Sequence, residues 1–129
     1  MSHLLFVCLG GALGSGLRYL VSGLAARWFG AEFPYGTLLV NLGGSFAIGL
    51  VQELGLAALL LPDHVRLFLA AGVLGGLTTY STFSYETLRL VESGAWPQAW
   101  VYVLGTTGLS LLLCFLGIAA GRGILMARG

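Results

Sequence analysis

Long apolar runs alternate with short polar connectors along the whole chain. A bilayer core about 30 Å thick asks for roughly 20 apolar residues per helix. The pattern predicts four transmembrane helices, over about residues 4–26, 36–60, 65–90 and 97–120. The connectors "RWFGAEFP", "LLPDHV" and "VESGAWPQ" carry the proline, glycine and charge that interrupt them. Trp28, Trp96 and Trp100 fall near segment ends, where interfacial aromatic belts lie. The opening "MSHLLFVCLGGALGSGLRYL" has no basic leader region, and three more hydrophobic segments follow it, so it reads as the first span. No segment repeats at a fixed period. Residues 1–129 read as a single all-α, integral membrane domain.

Composition agrees. The chain is 57% hydrophobic and 9% charged, against about 25% charged in soluble domains. A net charge of +1 gives no footprint for nucleic acid. Cys8 and Cys114 lie inside apolar runs without ligand-type neighbours and read as small hydrophobes. His3 and His64, near segment ends, are expected to face headgroups or water. No nucleophile–base pair or metal-ligand cluster stands out, so the chain is not expected to be an enzyme.

Four spans place both termini and the second connector on one side of the membrane. That side carries Arg66, Arg122 and Arg128; the other carries Arg27 and Arg89, with Arg18 within snorkelling reach. Orientation follows the Lys/Arg difference between sides, and here it nearly vanishes. Either other cues orient the chain, or it inserts both ways and forms an antiparallel dimer. Four short helices enclose little volume, which favours a homo-oligomer for any transport task. Gly10 and Gly14, and Gly72 and Gly76, form GxxxG pairs that let helix backbones approach, and Gly105 and Gly108 thin the last span.

The third span holds "GGLTTYSTFSYE" across its centre, near residue 77. Non-helical backbone at that depth is tolerated only if it is buried in protein or lines a cavity. Two readings are open: a kinked helix whose threonines bond back to the preceding turn, or a discontinuous helix that builds a midplane binding site. The second span sets Thr37, Asn41 and Ser45 on one face at spacing four, and the fourth sets Tyr102, Thr106 and Ser110 likewise. These stripes are either interhelical glue or the walls of a narrow hydrated path. Hydroxyls and amides donate hydrogen bonds to anions, and no acidic ring of the kind found in many cation channels is present. Tyr80 and Phe83 share a half-helix face and either pack or turn their positive ring edges to an anion. Arg18 and Glu86, ionisable in or near spans, are functional candidates; the plainer readings are snorkelling and capping. The residues alone thus point to a small polar solute of anionic character, its identity open.

The order of "GGALGSGLRY", "GTLLVNLGGSFAIG" and "GGLTTYSTFSYE", followed by the Tyr-Thr-Ser stripe, resembles the Fluc (CrcB) fluoride channel family over all four spans. The resemblance implies a dual-topology antiparallel homodimer in the bacterial cell membrane, with its third helix broken near the midplane. Two antiparallel pores would pass fluoride out of the cytoplasm and exclude chloride. A structural sodium ion (Na+) at the dimer centre would be held by the backbone carbonyls of Gly75 and Thr78. The resemblance places Asn41, with Thr37 one turn earlier, in the fluoride pore. It maps the pore phenylalanines to Tyr80 and Phe83 and the polar track to Tyr102, Thr106 and Ser110, with Ser81, Thr82 and Ser84 nearby. Arg18 matches the first-span arginine and Glu86 the acid after the broken helix. Tyr80 stands where phenylalanine is usual, and Thr106 where serine is common.

The main alternative is a proton-coupled exporter of small cations like the small multidrug-resistance transporters. Those rely on a carboxylate in the first span, and residues 4–26 contain no Asp or Glu. A non-transporting membrane assembly subunit would show packing motifs without aligned polar stripes.

Overall fold

The computed structural model describes residues 2–57 and 59–128, which are helical throughout their main elements and contain no strand. Helix α1 runs over Ser2–Phe29. Its end is set by Gly30, at φ +85°, whose N–H closes onto Ala26 O at 3.0 Å in the left-handed conformation that glycine adopts without a Cβ penalty. Helix α2 spans Tyr35–Gln52 and continues into a wider π-helical turn, Glu53–Ala57. The third span is two pieces. Helix α3, residues 63–77, begins as Asp63–Leu67, widens to a π-helix over Phe68–Leu74 and closes with Gly75–Leu77. Helix α4, Tyr80–Glu92, follows after two extended residues, Thr78 and Thr79. A turn through Gly94, at φ +83°, leads to α5, Trp96–Arg128.

All four expected spans are present as helices long and apolar enough to cross a membrane. Their ends differ from the hydropathy pattern. Regular helix in the second span stops at Gln52 rather than reaching 60, and Ala58 within that expected stretch lies outside the described residues. The fourth continues past 120 to Arg128. Arg122 Nε donates to Glu53 Oε1 at 3.1 Å, which anchors this extra length of α5 to the end of α2.

Glycine determines which helices touch. A Cβ on Gly10 would lie 2.9 Å from Gly72 Cα, and one on Gly76 would lie 2.6 Å from Gly11 O. The two GxxxG pairs therefore face each other, seating α1 directly on α3. On the other side, Gly49 meets the α5 backbone at Ile118 N and Gly117 meets the α2 backbone at Leu50 N, each at 3.1 Å from a built Cβ. Gly105 and Gly108, by contrast, face open space, so they thin α5 without bringing another helix of the protomer close.

The α1–α3 seam makes a direct prediction. Gly76→Ala forces a methyl into the Gly11 carbonyl, and neither backbone is free to yield. The substitution should cost about 1–3 kcal/mol and lower the Tm in detergent, whereas Gly105→Ala should leave it unchanged. Equal Tm values for both variants would contradict close backbone contact at this seam.

Candidate functional site

The break lies one step later than the glycines suggest. Gly75–Leu77 is helical, and the non-helical residues are Thr78 (φ −83°, ψ 155°) and Thr79 (φ −153°, ψ 123°). Gly76 remains in the helix where its missing side chain serves the packing against α1, while Gly75 faces away from that seam. Opening the helix leaves backbone groups that need new partners at a depth where water is scarce. Asn41 supplies two of them. Its Oδ1 accepts from Thr79 N at 2.8 Å, and its Nδ2 donates to Thr79 O at 3.1 Å. Arg18 Nε donates to Gly76 O at 3.1 Å, closing the C-terminal end of α3 in the way basic groups commonly satisfy the last carbonyls of a helix. Thr79 caps the next helix, its Oγ1 accepting from Thr82 N at 3.2 Å. Thr78 Oγ1 bonds back to Leu74 O at 2.9 Å.

This set of partners frees two carbonyls. In a continuous helix Gly75 O would accept from Thr79 N, and Thr78 O from Thr82 N. Those donors are given to Asn41 and to the Thr79 hydroxyl instead. Gly75 and Thr78 are the two residues that the family resemblance assigns to sodium, and their carbonyl oxygens have lost their helical donors.

Beside the break is a cavity of about 460 Å³ lined by residues of α2, α3, α4 and α5. Asn41, Gly75, Thr78, Tyr80, Phe83, Thr106 and Ser110 all border it, so half of the sequence candidates converge there. An amide NH2 carries two protons. Asn41 commits one to Thr79 and has the other for the cavity. Thr106 Oγ1 and Ser110 Oγ are buried without a hydrogen-bond partner. Phe83, 9% exposed, has its ring centroid 5.7 Å from that of Tyr80 in an edge-on arrangement, while Tyr80 is 80% exposed.

The remaining candidates lie elsewhere in the protomer. Tyr102 is fully buried, with its ring against Phe33 and Phe83, and its hydroxyl donates to Glu86 Oε1 at 3.1 Å. Thr37 and Glu86 border a separate, smaller cavity of about 130 Å³ near Pro34 and Gly36. Arg18 serves the break from the α1 side and does not line the larger cavity. Ser84 bonds to its own helix at Tyr80 O, 2.9 Å away, and Ser81 lies 3.3 Å from the Thr79 hydroxyl. Thr82 contributes its backbone N–H to the cap. These three hydroxyl residues do not line the cavity, because helix α4 turns them off the face that carries Phe83.

Thr79 and Thr107 are cavity-lining residues that the sequence reading did not select as site residues. For Thr79 a signal existed: a threonine directly before a helix is a common N-cap. Thr107 adjoins the Thr106 stripe but falls one residue out of its spacing.

A family model described as "CrcB-like protein, Camphor Resistance (CrcB)" matches residues 5–118. The chain is similar to the "Fluoride-specific ion channel FluC" of Anaeromyxobacter sp. (strain K), with 55% identity over 89% of this chain and 91% of the relative. It is 58% identical to the protein of the same name from Anaeromyxobacter dehalogenans, over 82% of this chain and 84% of the relative. The protein of that name from Roseiflexus sp. (strain RS-1) is 48% identical over 93% of this chain and 97% of its own length.

Proposed function

The chain belongs to the CrcB-like family, and from that membership we propose that it is a fluoride-selective channel exporting cytoplasmic fluoride by passive permeation. The family is one of fluoride ion channels rather than enzymes, and four apolar helices fit a multi-pass bacterial membrane protein. The observation that carries the reading is the pair of buried, unpartnered hydroxyls, Thr106 and Ser110, in a cavity beside a broken helix. Moving fluoride from water into a narrow path removes strong hydrogen bonds, which donors fixed along that path must replace. The hydroxyls, the second Asn41 amide proton and the ring edges of Tyr80 and Phe83 are such groups. In proteoliposomes the protein should release fluoride and retain chloride. Equal release of both ions, or of neither, overturns the assignment.

The functional unit in this proposal is a dual-topology antiparallel homodimer with two pores. The near-balanced arginines support it, as does Tyr80, which is too exposed in one protomer to be enclosed by it. Lysines added after Arg128 should drive most copies to one orientation and abolish fluoride efflux, which a counterpart biased the other way restores on co-expression. Full activity from a demonstrably single-orientation population overturns the antiparallel arrangement.

Sodium fits the Gly75 and Thr78 carbonyls, since hard cations take oxygen ligands and both oxygens have lost their helical donors. When bound there, the ion would supply a fixed positive charge beside the anion path. Complete sodium removal should lower both efflux and the thermal stability of the dimer. Indifference of both to sodium would leave the break as a kink only.

A further inference from the structure

Among the described residues, three side-chain polar atoms are buried without a hydrogen-bond partner: Thr106 Oγ1, Ser110 Oγ and Gln52 Oε1. The first two border the cavity beside the break. Gln52 does not border it and has no part in the site described above. It is the last residue of α2, four positions past the cavity-lining Ile48. At 3.6 residues per turn, Asn41, Ser45, Ile48 and Gln52 fall within roughly 60° of one another on the helix. Gln52 therefore extends the cavity-facing stripe by one turn, toward the end of the molecule where Arg122 pairs with Glu53 at 3.1 Å. That pairing matters for an anion. The one carboxylate next in sequence to Gln52 is already matched by a guanidinium, so the neighbourhood is not a bare negative charge.

A buried amide oxygen without a partner is costly, and an apolar residue would remove the cost. Helix glue does not explain it, because glue requires a partner across the interface. We propose that Gln52 is a further anion-contacting residue of the fluoride route, serving as the hydrogen-bonding group at the mouth beyond Ile48. Rotation of the side-chain amide turns its NH2 into the path, where two protons replace water around the anion as it enters or leaves the cavity. The inference rests on the channel reading and extends the donor series Asn41, Thr106 and Ser110 by one member.

Gln52→Leu tests it, with fluoride efflux and Tm measured on the same dimer preparation beside the parent. Fluoride throughput should fall about threefold or more, chloride should remain excluded, and the Tm should stay level or rise. Gln52→Glu should conduct less than Gln52→Leu, since a carboxylate offers no donor and repels the anion. Gln52→Leu with parental throughput overturns the inference, whatever its Tm, while the channel reading stands. Gln52→Met, unbranched and of similar length, replaces it if the leucine variant does not assemble, with the same two outcomes. A parent that passes no fluoride overturns the channel reading and this inference with it.

Discussion

Replacing Asn41 with alanine should abolish fluoride efflux and lower the Tm of the dimer. The residue has two tasks that one truncation removes together. Thr79 N and Thr79 O both depend on its side chain, through bonds of 2.8 and 3.1 Å. Each buried backbone group left without a partner costs about 1–3 kcal/mol, and the loss falls at the joint between α3 and α4. The remaining amide proton, on a residue that lines the cavity, disappears as well. A fall in throughput of roughly a hundredfold corresponds to about 2.7 kcal/mol in the barrier, well within reach of these combined losses. Asn41→Asp separates the tasks. It keeps the acceptor for Thr79 N, so it should retain more of the Tm, but it places a negative charge beside the anion path and should conduct as poorly as alanine. An Asn41→Ala channel with near-parental efflux would show that the break is held by other means and that the amide is not a pore group.

Phe83→Ile should reduce fluoride throughput at least about tenfold, a barrier increase of about 1.4 kcal/mol, while the dimer still assembles. The ring lines the cavity, lies 5.0 Å from the Tyr102 centroid and has Tyr80 edge-on at 5.7 Å. Isoleucine preserves a large apolar side chain in the cluster with Leu90, Ala99 and Tyr102, so the packing cost should be modest. The ring quadrupole, with its positive edge, is lost. Tyr80→Phe should be milder, since the ring remains and only a largely exposed hydroxyl goes. Throughput equal to the parent in Phe83→Ile would reduce Phe83 to a packing residue. Should the isoleucine variant fail to dimerise, Phe83→Met gives the same comparison with a more adaptable side chain.

Much of this architecture follows from local pattern. Apolar run length determines the four spans, because a helix in lipid must satisfy its backbone internally over the full thickness of the core. Spacing of three and four determines which residues share a face, so Gly10 with Gly14, Gly72 with Gly76, and the stripes through Asn41 and Thr106 are readable in the chain itself. The position of the break is readable to within a few residues, since Gly75 through Thr79 is the least helical stretch of its span.

Which faces meet is decided only by the tertiary structure. Asn41 bonds Thr79 across 38 positions of sequence, and Arg18 reaches Gly76 across 58; helical spacing carries no information about either. The same applies to Gly75 and Gly76. Sequence marks them as the weak point, but both stay helical, Gly76 in the seam with α1 and Gly75 on the cavity side, and the break falls at Thr78 and Thr79. Ser84 offers a hydroxyl that composition cannot tell from that of Ser110, yet one closes on its own backbone and the other stays unpartnered in the interior. Gln52 looks like an ordinary helix-end residue until the burial of its amide oxygen and the direction of the cavity stripe are known. A polar side chain has the same donors and acceptors wherever it occurs. Its use depends on which neighbour another helix brings within about 3 Å, and that is settled by how the helices cross rather than by any single stretch of chain.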